Sequence, residues 1–409
     1  MKRSNLSKLS NVKISSLKLN ALLDLTKSIN QNVKTKNLLL IFEEVLKSKL
    51  GIGKLMLFNF NLDDWHCLLN YGFPDGSDKI DVENDLIQYR EISLIKKEDS
   101  LSIHSFEIVI PVYHKNQALA YLLLGDLLED DLQISPIIKH LPFIQTLTNI
   151  LIVAIENKRL YKRTINQAAM EKELELASDM QKMLFPESLP NEENVCFNAF
   201  YLPHQDIGGD YYDFIWLNEN EFIFCMGDVS GKGVAAALLM SNFQASLRIL
   251  VNYITDLKSL VIELNKLVNQ NAKSEKFITF FIAKYNRATK ELFYVNAGHN
   301  HPLLFRKDDY FPLFEGTTGL GMFDVLPSIE QGCLQIDSPV NILLYTDGAI
   351  EAENEIGDSY GLDRMIAFFK ENASKKPEEI NQILINDIYA FKGKKSHVDD
   401  IAVLTGHFF

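Results

Sequence analysis

At 409 residues the chain is too long for one ordinary core, so two or three domains are expected, and its 47% hydrophobic and 23% charged content are those of a globular protein. A net formal charge of -13 and an isoelectric point near 5.2 exclude general nucleic-acid binding, which needs a basic surface, and accord with a soluble cytoplasmic protein. The longest apolar stretches, such as Ala118–Leu124 and Ile150–Ile155, fall well short of the roughly 20 residues of a membrane helix, so no transmembrane segment is expected.

The start, residues 1–18, carries Lys2, Arg3, Lys8, Lys13 and Lys18 without a following signal-peptide core, and reads as a flexible basic arm. From 19 to 156 the pattern is helix, helix, strands, helix. Leu22, Leu25 and Ile29, then Leu38, Ile41, Phe42, Val45 and Leu46, recur at helical spacing, and Gly51-Ile52-Gly53 ends the second helix. Strands are predicted at Lys54–Phe60, Ser105–Tyr113 and Ala118–Asp126. This order resembles a GAF domain, an α/β sensory module, which implies a sensor ligand or an activating protein. No chromophore cysteine, haem ligand or cyclic-nucleotide signature names that ligand, and a domain that only dimerises is the alternative. Cys67, Cys196, Cys225 and Cys333 are scattered without a CxxC pair, as free thiols in a reducing compartment would be.

Pro142–Leu184 runs with few breakers until Pro186 and Pro190, so residues 157–190 read as a helical linker. Met170, Leu174, Ala177 and Leu184, with Gln181 as the polar member, fall on an a/d seam that favours a coiled coil and a homodimer through this helix, the alternative being a helix that lies on its own domain. Residues 191–409 alternate strands with helices at Val234–Val251, Leu257–Asn271, Asp363–Glu371 and Pro377–Ala390. Strands are predicted at Glu221–Met226, Phe277–Tyr285, Glu291–Ala297, Pro302–Arg306, Val340–Tyr345 and Ile401–Thr405, which makes an α+β layered domain.

Four acidic motifs stand at the ends of apolar runs in this last region: Gly208-Gly209-Asp210-Tyr211-Tyr212-Asp213, Gly227-Asp228-Val229-Ser230-Gly231-Lys232-Gly233, Thr346-Asp347-Gly348 and His397-Val398-Asp399-Asp400. Singly, each is an ordinary turn. Together they bring carboxylates to strand ends, a hard-oxygen set suited to Mg2+ or Mn2+. Asp228 is expected where its strand enters a glycine-rich turn. A nucleotide P-loop fails there, because only three residues separate Gly227 from Gly231 and Gly233 stands where Ser or Thr should follow Lys232. His299 and His301 sit among Asn296, Gly298 and Asn300 and read as a tight connection rather than a metal pair, and Lys232 reads as a solvated loop lysine or a phosphate contact.

From about Glu173 onward the chain resembles the PPM-type metal-dependent protein phosphatases of the SpoIIE/RsbU branch. The resemblance rests on the order of Leu174–Leu184 with Phe185-Pro186, the four acidic motifs, the run Asn296–Pro302 and the segment Asp399–Leu404. It implies a C-terminal α-β-β-α sandwich with two Mn2+ or Mg2+ ions in a cleft at one end. It also implies a serine/threonine phosphatase acting on a phosphorylated anti-sigma-factor antagonist (STAS-type) protein. Carried over, Asp228 bridges the ions with the Val229 carbonyl beside it, Asp347 and Asp399 complete the second ion, and Asp210 holds the first through water. Asp399 is preferred to Asp400, and Asp213 is expected to fix its local turn. Paired cations would activate a shared water in line with phosphorus, with no protein nucleophile. Ser230 stands where the eukaryotic branch has a histidine, and a packing or hydrogen-bonding role is expected of it. The alternative is a metal-binding pseudophosphatase or scaffold that binds a phosphorylated partner without turnover.

Overall fold

The computed structural model describes residues 2–61, 64–72, 80–96, 98–127, 140–272, 275–306, 309–395 and 397–409, which form two compact units, Met1–Ala168 and Ala169–Phe409.

The first unit opens with α1 (Lys2–Asn30) and α2 (Thr35–Glu44), and continues with β1 (Ile52–Asn61), β2 (Asp64–Tyr71) and the short α3 (Val82–Asp85). β3 (Ser93–Leu94), β4 (Ile108–His114) and β5 (Gln117–Leu127) follow, and α4 (Leu141–Lys182) closes the unit and enters the next. The five strands form an antiparallel sheet in the order β2-β1-β5-β4-β3. Strand periodicity splits its side chains between two cores. Leu55, Leu57, Ile110, Leu122 and Leu124 meet Leu25, Phe42, Leu147 and Leu151 of the helices, while Met56, Phe58, Val109, Tyr121 and Leu123 pack under Leu86, Ile103 and Phe106.

The expected arm is instead helix. Met1 lies outside the described residues, and from Lys2 the backbone is already part of α1. The sequence contains neither Gly nor Pro before Gly51, so nothing before Leu19 interrupts a helix that starts earlier. Among the described residues no helix is long and apolar enough to cross a membrane.

The second unit holds β6 (Asn191–Glu192), β7 (Val195–Leu202), β8 (Tyr211–Trp216), β9 (Glu221–Val229), α5 (Val234–Leu250), α6 (Leu257–Ala272), β10 (Ile278–Asn286) and β11 (Glu291–Ala297). Then come β12 (Leu303–Arg306), β13 (Asp309–Pro312), β14 (Gly316–Thr317), β15 (Gly332–Gln335) and β16 (Val340–Tyr345). The chain ends with α7 (Asp347–Ile350), α8 (Leu362–Asn372), α9 (Pro377–Lys392) and β17 (Ile401–Phe408).

Two sheets result, β14-β11-β10-β9-β8 with β15 on β11, and β13-β12-β16-β17-β7-β6. They pack face to face over Phe197, Phe222, Phe224, Met226, Phe281, Leu344, Leu404 and Phe408. The outer face of the first sheet, through Ile223, Cys225 and Ile282, is covered by Met240, Phe243, Leu260 and Leu264 of α5 and α6. That of the second, through Leu343, Tyr345 and Val403, is covered by Met365, Phe369, Ile380 and Leu384 of α8 and α9. Helices, two sheets and helices are thus stacked in layers.

Candidate metal centre

The period of two along each strand decides which polar side chains enter the sandwich. On β9, Phe222, Phe224 and Met226 face the inner core, so Asp228 is next in the inward row. The strand runs through Val229, with Asp228 opposite Thr279, so Asp228 is held by sheet pairing and not by the expected turn. Tyr212 and Phe214 set the same parity on β8, which brings Asp210 inward just before the strand begins, and it is buried. Ile342 and Leu344 do so on β16, and the next inward residue is the buried Thr346. Its hydroxyl donates to Asp210 Oδ2 at 2.7 Å and accepts from the Ala402 amide at 2.9 Å, tying the first acid to the opposite sheet.

The acids act on one another. Burial, then the charges of Asp347, Asp399 and Asp400, push the Asp228 carboxyl up to about 7, opposed by a hydrogen bond with Asp210. Asp210 is raised well above the carboxylate range by burial and then by Asp228 and Asp400. Asp347, at the first position of α7, is raised by burial and then by Asp399 and Glu351. These carboxylates therefore crowd into a space where Lys232 offsets only part of their charge, the condition that a cation relieves.

Asp399 and Asp400 have different duties. Asp400 is buried and accepts from the amides of His204 at 2.7 Å and Gly209 at 2.6 Å, which fastens the loop leading to Asp210. Asp399 is partly exposed and forms a 2.8 Å ion pair with Lys232. Gly348 follows Asp347 because the backbone of Asp399 and Asp400 passes where a Cβ would lie, and Gly208 is required because a Cβ there would strike the Tyr201 hydroxyl and the Asp400 carboxylate. The Val229 carbonyl faces Gly209.

Three sequence expectations change. Asp213 does not fix a turn: it is a fully buried β8 residue that accepts from Arg248 Nε and Nη2 of α5 at 2.8 and 3.0 Å and from the Tyr211 hydroxyl. The a/d row of the linker helix is turned toward its own unit at its C-terminal end, where Gln181 is buried against Gly208 and Leu184 packs in the α5/α6 core. A polar seam residue whose donor and acceptor are satisfied at home is not available to a partner helix. Lys232, though exposed, is ion-paired with Asp399, a role that neither expectation gave it.

His299 is buried beside Thr279, with Nδ1 3.0 Å from Oγ1, and burial pushes it down to about 3, so it stays neutral. The Ser230 hydroxyl accepts from the Phe277 amide at 2.9 Å. Sequence reasoning missed Thr346, Arg248 and the grip of Gln181. Strand parity could have found the first, since Thr346 continues the row of Ile342 and Leu344. No local pattern reports the other two.

Among the described residues no three acidic, histidine or cysteine side chains form a closed ligand set for one ion. Mg2+ and Mn2+ do not need one, because they keep several waters and are held by few carboxylates. The crowded acids and the Val229 carbonyl are hard oxygen donors and fit such ions.

Residues 218–408 match the family described as Stage II sporulation protein E (SpoIIE). The matched stretch contains Asp228, Asp347 and Asp399, while Asp210 precedes it. The chain is 30% identical over 197 residues to the phosphoserine phosphatase RsbU of Bacillus subtilis, covering 47% of this chain and 57% of that protein. It is 27% identical over 187 residues to the phosphoserine phosphatase RsbP of the same organism, covering 44% and 46%. The chain thus spans about half the length of the curated relatives it matches. The SiaA-PP2C domain of Pseudomonas aeruginosa superposes with a TM-score of 0.52 at 18% identity, covering 60% of this chain and 99% of that domain, so the fold is shared.

Proposed function

We propose that this chain is a signal-regulated protein serine/threonine phosphatase that hydrolyses phosphoserine on a regulatory partner of the anti-sigma-factor antagonist (STAS) type. The observation that carries this reading is the convergence of Asp210, Asp228, Asp347 and Asp399 on one end of a two-sheet sandwich, where burial and then neighbouring carboxylates raise the carboxyls of Asp210, Asp228 and Asp347, with all but Asp210 inside the stretch that matches SpoIIE. The likeness to two phosphoserine phosphatases supports the reaction class.

In this reading Asp228, with the Val229 carbonyl beside it, Asp347, Asp399 and Asp210 would hold two Mg2+ or Mn2+ ions, with Asp347 and Asp399 serving one and Asp210 the other. When bound, the ions supply an activated water and neutralise the phosphoryl oxygens. The protein contributes placement. Sheet pairing with Thr279 fixes Asp228, the Thr346 hydroxyl holds one oxygen of Asp210, and Asp400 anchors the loop before it. Ser230 is engaged with the Phe277 amide and serves neither as nucleophile nor as acid.

The first unit, with its GAF-like arrangement, is read as the sensor, and its signal as reaching the site through α4. Gln181 of that helix grips Gly208, two residues before Asp210, which supports the coupling. A homodimer through α4 would use its exposed Leu176 and Met180 rather than the row of Gln181. A cytoplasmic location completes the proposal.

The test is phosphate release from phosphoserine and phosphotyrosine proteins with Mn2+ and with chelator. Mn2+-dependent release that favours phosphoserine supports the reading. Mn2+ uptake without release from any phosphoprotein would favour the scaffold instead.

A further inference from the structure

Lys232 follows β9 on the loop to α5, and its ammonium is 2.8 Å from Asp399 Oδ2 while also donating to the Val398 carbonyl. It bears on Asp347 as well, whose raised carboxyl it opposes. These are the two acids assigned to one metal position. The lysine therefore stands as a single positive charge against a pair of carboxylates that would also attract a divalent ion. Side-chain exposures of 41% for Lys232 and 36% for Asp399 keep this ion pair in contact with water, where such pairs are weak and exchange easily.

The same two side chains line a cavity of about 480 Å³ that also meets Gly348, Glu351 and Glu353. Its volume suits a side chain carrying a phosphoryl group. Its walls do not suit one electrostatically: Glu351 adds to the charge of Asp347, and Glu353 is neutralised by Lys395. A phosphorylated side chain entering this cavity meets net negative charge unless the Lys232 ammonium is released toward it.

The geometry points to Lys232 as the exchangeable counter-ion of Asp399, which holds the acid until a divalent ion takes it and then presents its ammonium to a phosphoryl group in the adjoining cavity. This rests on the metal reading of the strand-end acids. It gives the substrate a contact that becomes available only once the ions are in place, so that metal loading precedes phosphate binding.

The experiment is calorimetric titration of the full chain with Mn2+, followed by titration of the Mn2+-loaded protein with inorganic phosphate, for wild type, Lys232→Met and Lys232→Arg. Lys232→Met should bind Mn2+ about fivefold more tightly and phosphate about fivefold more weakly, the size of one exposed ion pair in each case. Lys232→Arg, which keeps the charge, should stay near wild type in both titrations. Mn2+ affinity that is unchanged or weaker in Lys232→Met would overturn the competition, and unchanged phosphate affinity would overturn the hand-over. Failure of wild type itself to take up Mn2+ would instead overturn the metal reading on which the inference stands. Matching circular dichroism spectra exclude misfolding of the variants.

Discussion

Gln181 holds both polar groups of Gly208: its side-chain amide donates to the Gly208 carbonyl at 2.6 Å, and its side-chain oxygen accepts from the Gly208 amide at 3.1 Å. Both residues are buried, and Asp210 follows two positions later. The Gln244 side chain holds the next turn of the chain by donating to the Leu184 carbonyl at 3.0 Å. From the other side Asp400 accepts from Gly209. The loop before Asp210 is thus clamped between the end of α4 and the start of β17, and a shift of either would move the acid.

Gln181→Glu keeps the acceptor and replaces the donor by an oxygen that faces a carbonyl. We expect Mn2+ affinity to fall about tenfold and stability by about 1–3 kcal/mol, the cost of an unsatisfied buried polar group. Calorimetry and urea denaturation read the two effects. Unchanged Mn2+ affinity would show that Gln181 supports the fold without placing Asp210.

Arg248 serves packing rather than the metal centre. Arg248→Met leaves the fully buried Asp213 without its cation, and because Arg248 is 43% exposed we discount the usual cost of breaking a buried pair to roughly 2 kcal/mol. Urea denaturation should record this loss, while Mn2+ affinity stays within about twofold of wild type, as expected for distant, independent sites.

The metal-free protein should lose stability as pH rises. Asp228 holds its proton up to about 7 in the folded state, above the ordinary carboxylate value of about 4 in the unfolded chain. The folded state therefore binds more protons between these values, and the stability this contributes is complete below about 4 and lost as pH climbs through about 7. Thermal melting with chelator should fall from pH 5.5 to 8, and Mn2+ should restore more stability at pH 8 than at pH 5.5. A melting temperature independent of pH would contradict the crowding of these acids.

Much of this site was legible because strand periodicity is local. The apolar run Phe222–Met226 places Asp228 on the inner face, and Val340–Tyr345 delivers Thr346 and Asp347 to the same end. The boundaries of Glu291–Ala297 and Val340–Tyr345 were readable to the residue. What escaped depends on contacts between distant segments. Asp399 and Asp400 are adjacent and alike in sequence, and contacts from distant segments set them apart, the amides of His204 and Gly209 on Asp400 and Lys232 on Asp399. The a/d row of α4 has the right spacing for a partner helix, yet a buried glutamine is satisfied equally well by its own Gly208. Asp213 looks like part of a turn until Arg248 is brought to it from α5. Asp228 was expected in a turn because glycine ordinarily ends strands, whereas Gly227 is paired with Phe280 and the ladder runs on through Val229.

The most direct test of the account is Mn2+-dependent phosphate release from a phosphoserine protein by wild type and Asp228→Asn, with circular dichroism to establish an unchanged fold. The account predicts release by wild type that chelator abolishes, and a loss of at least about a hundredfold in Asp228→Asn, the scale set by removing a central charge-stabilising group. Equal release by the two proteins would contradict the assignment of the strand-end acids as the reacting centre.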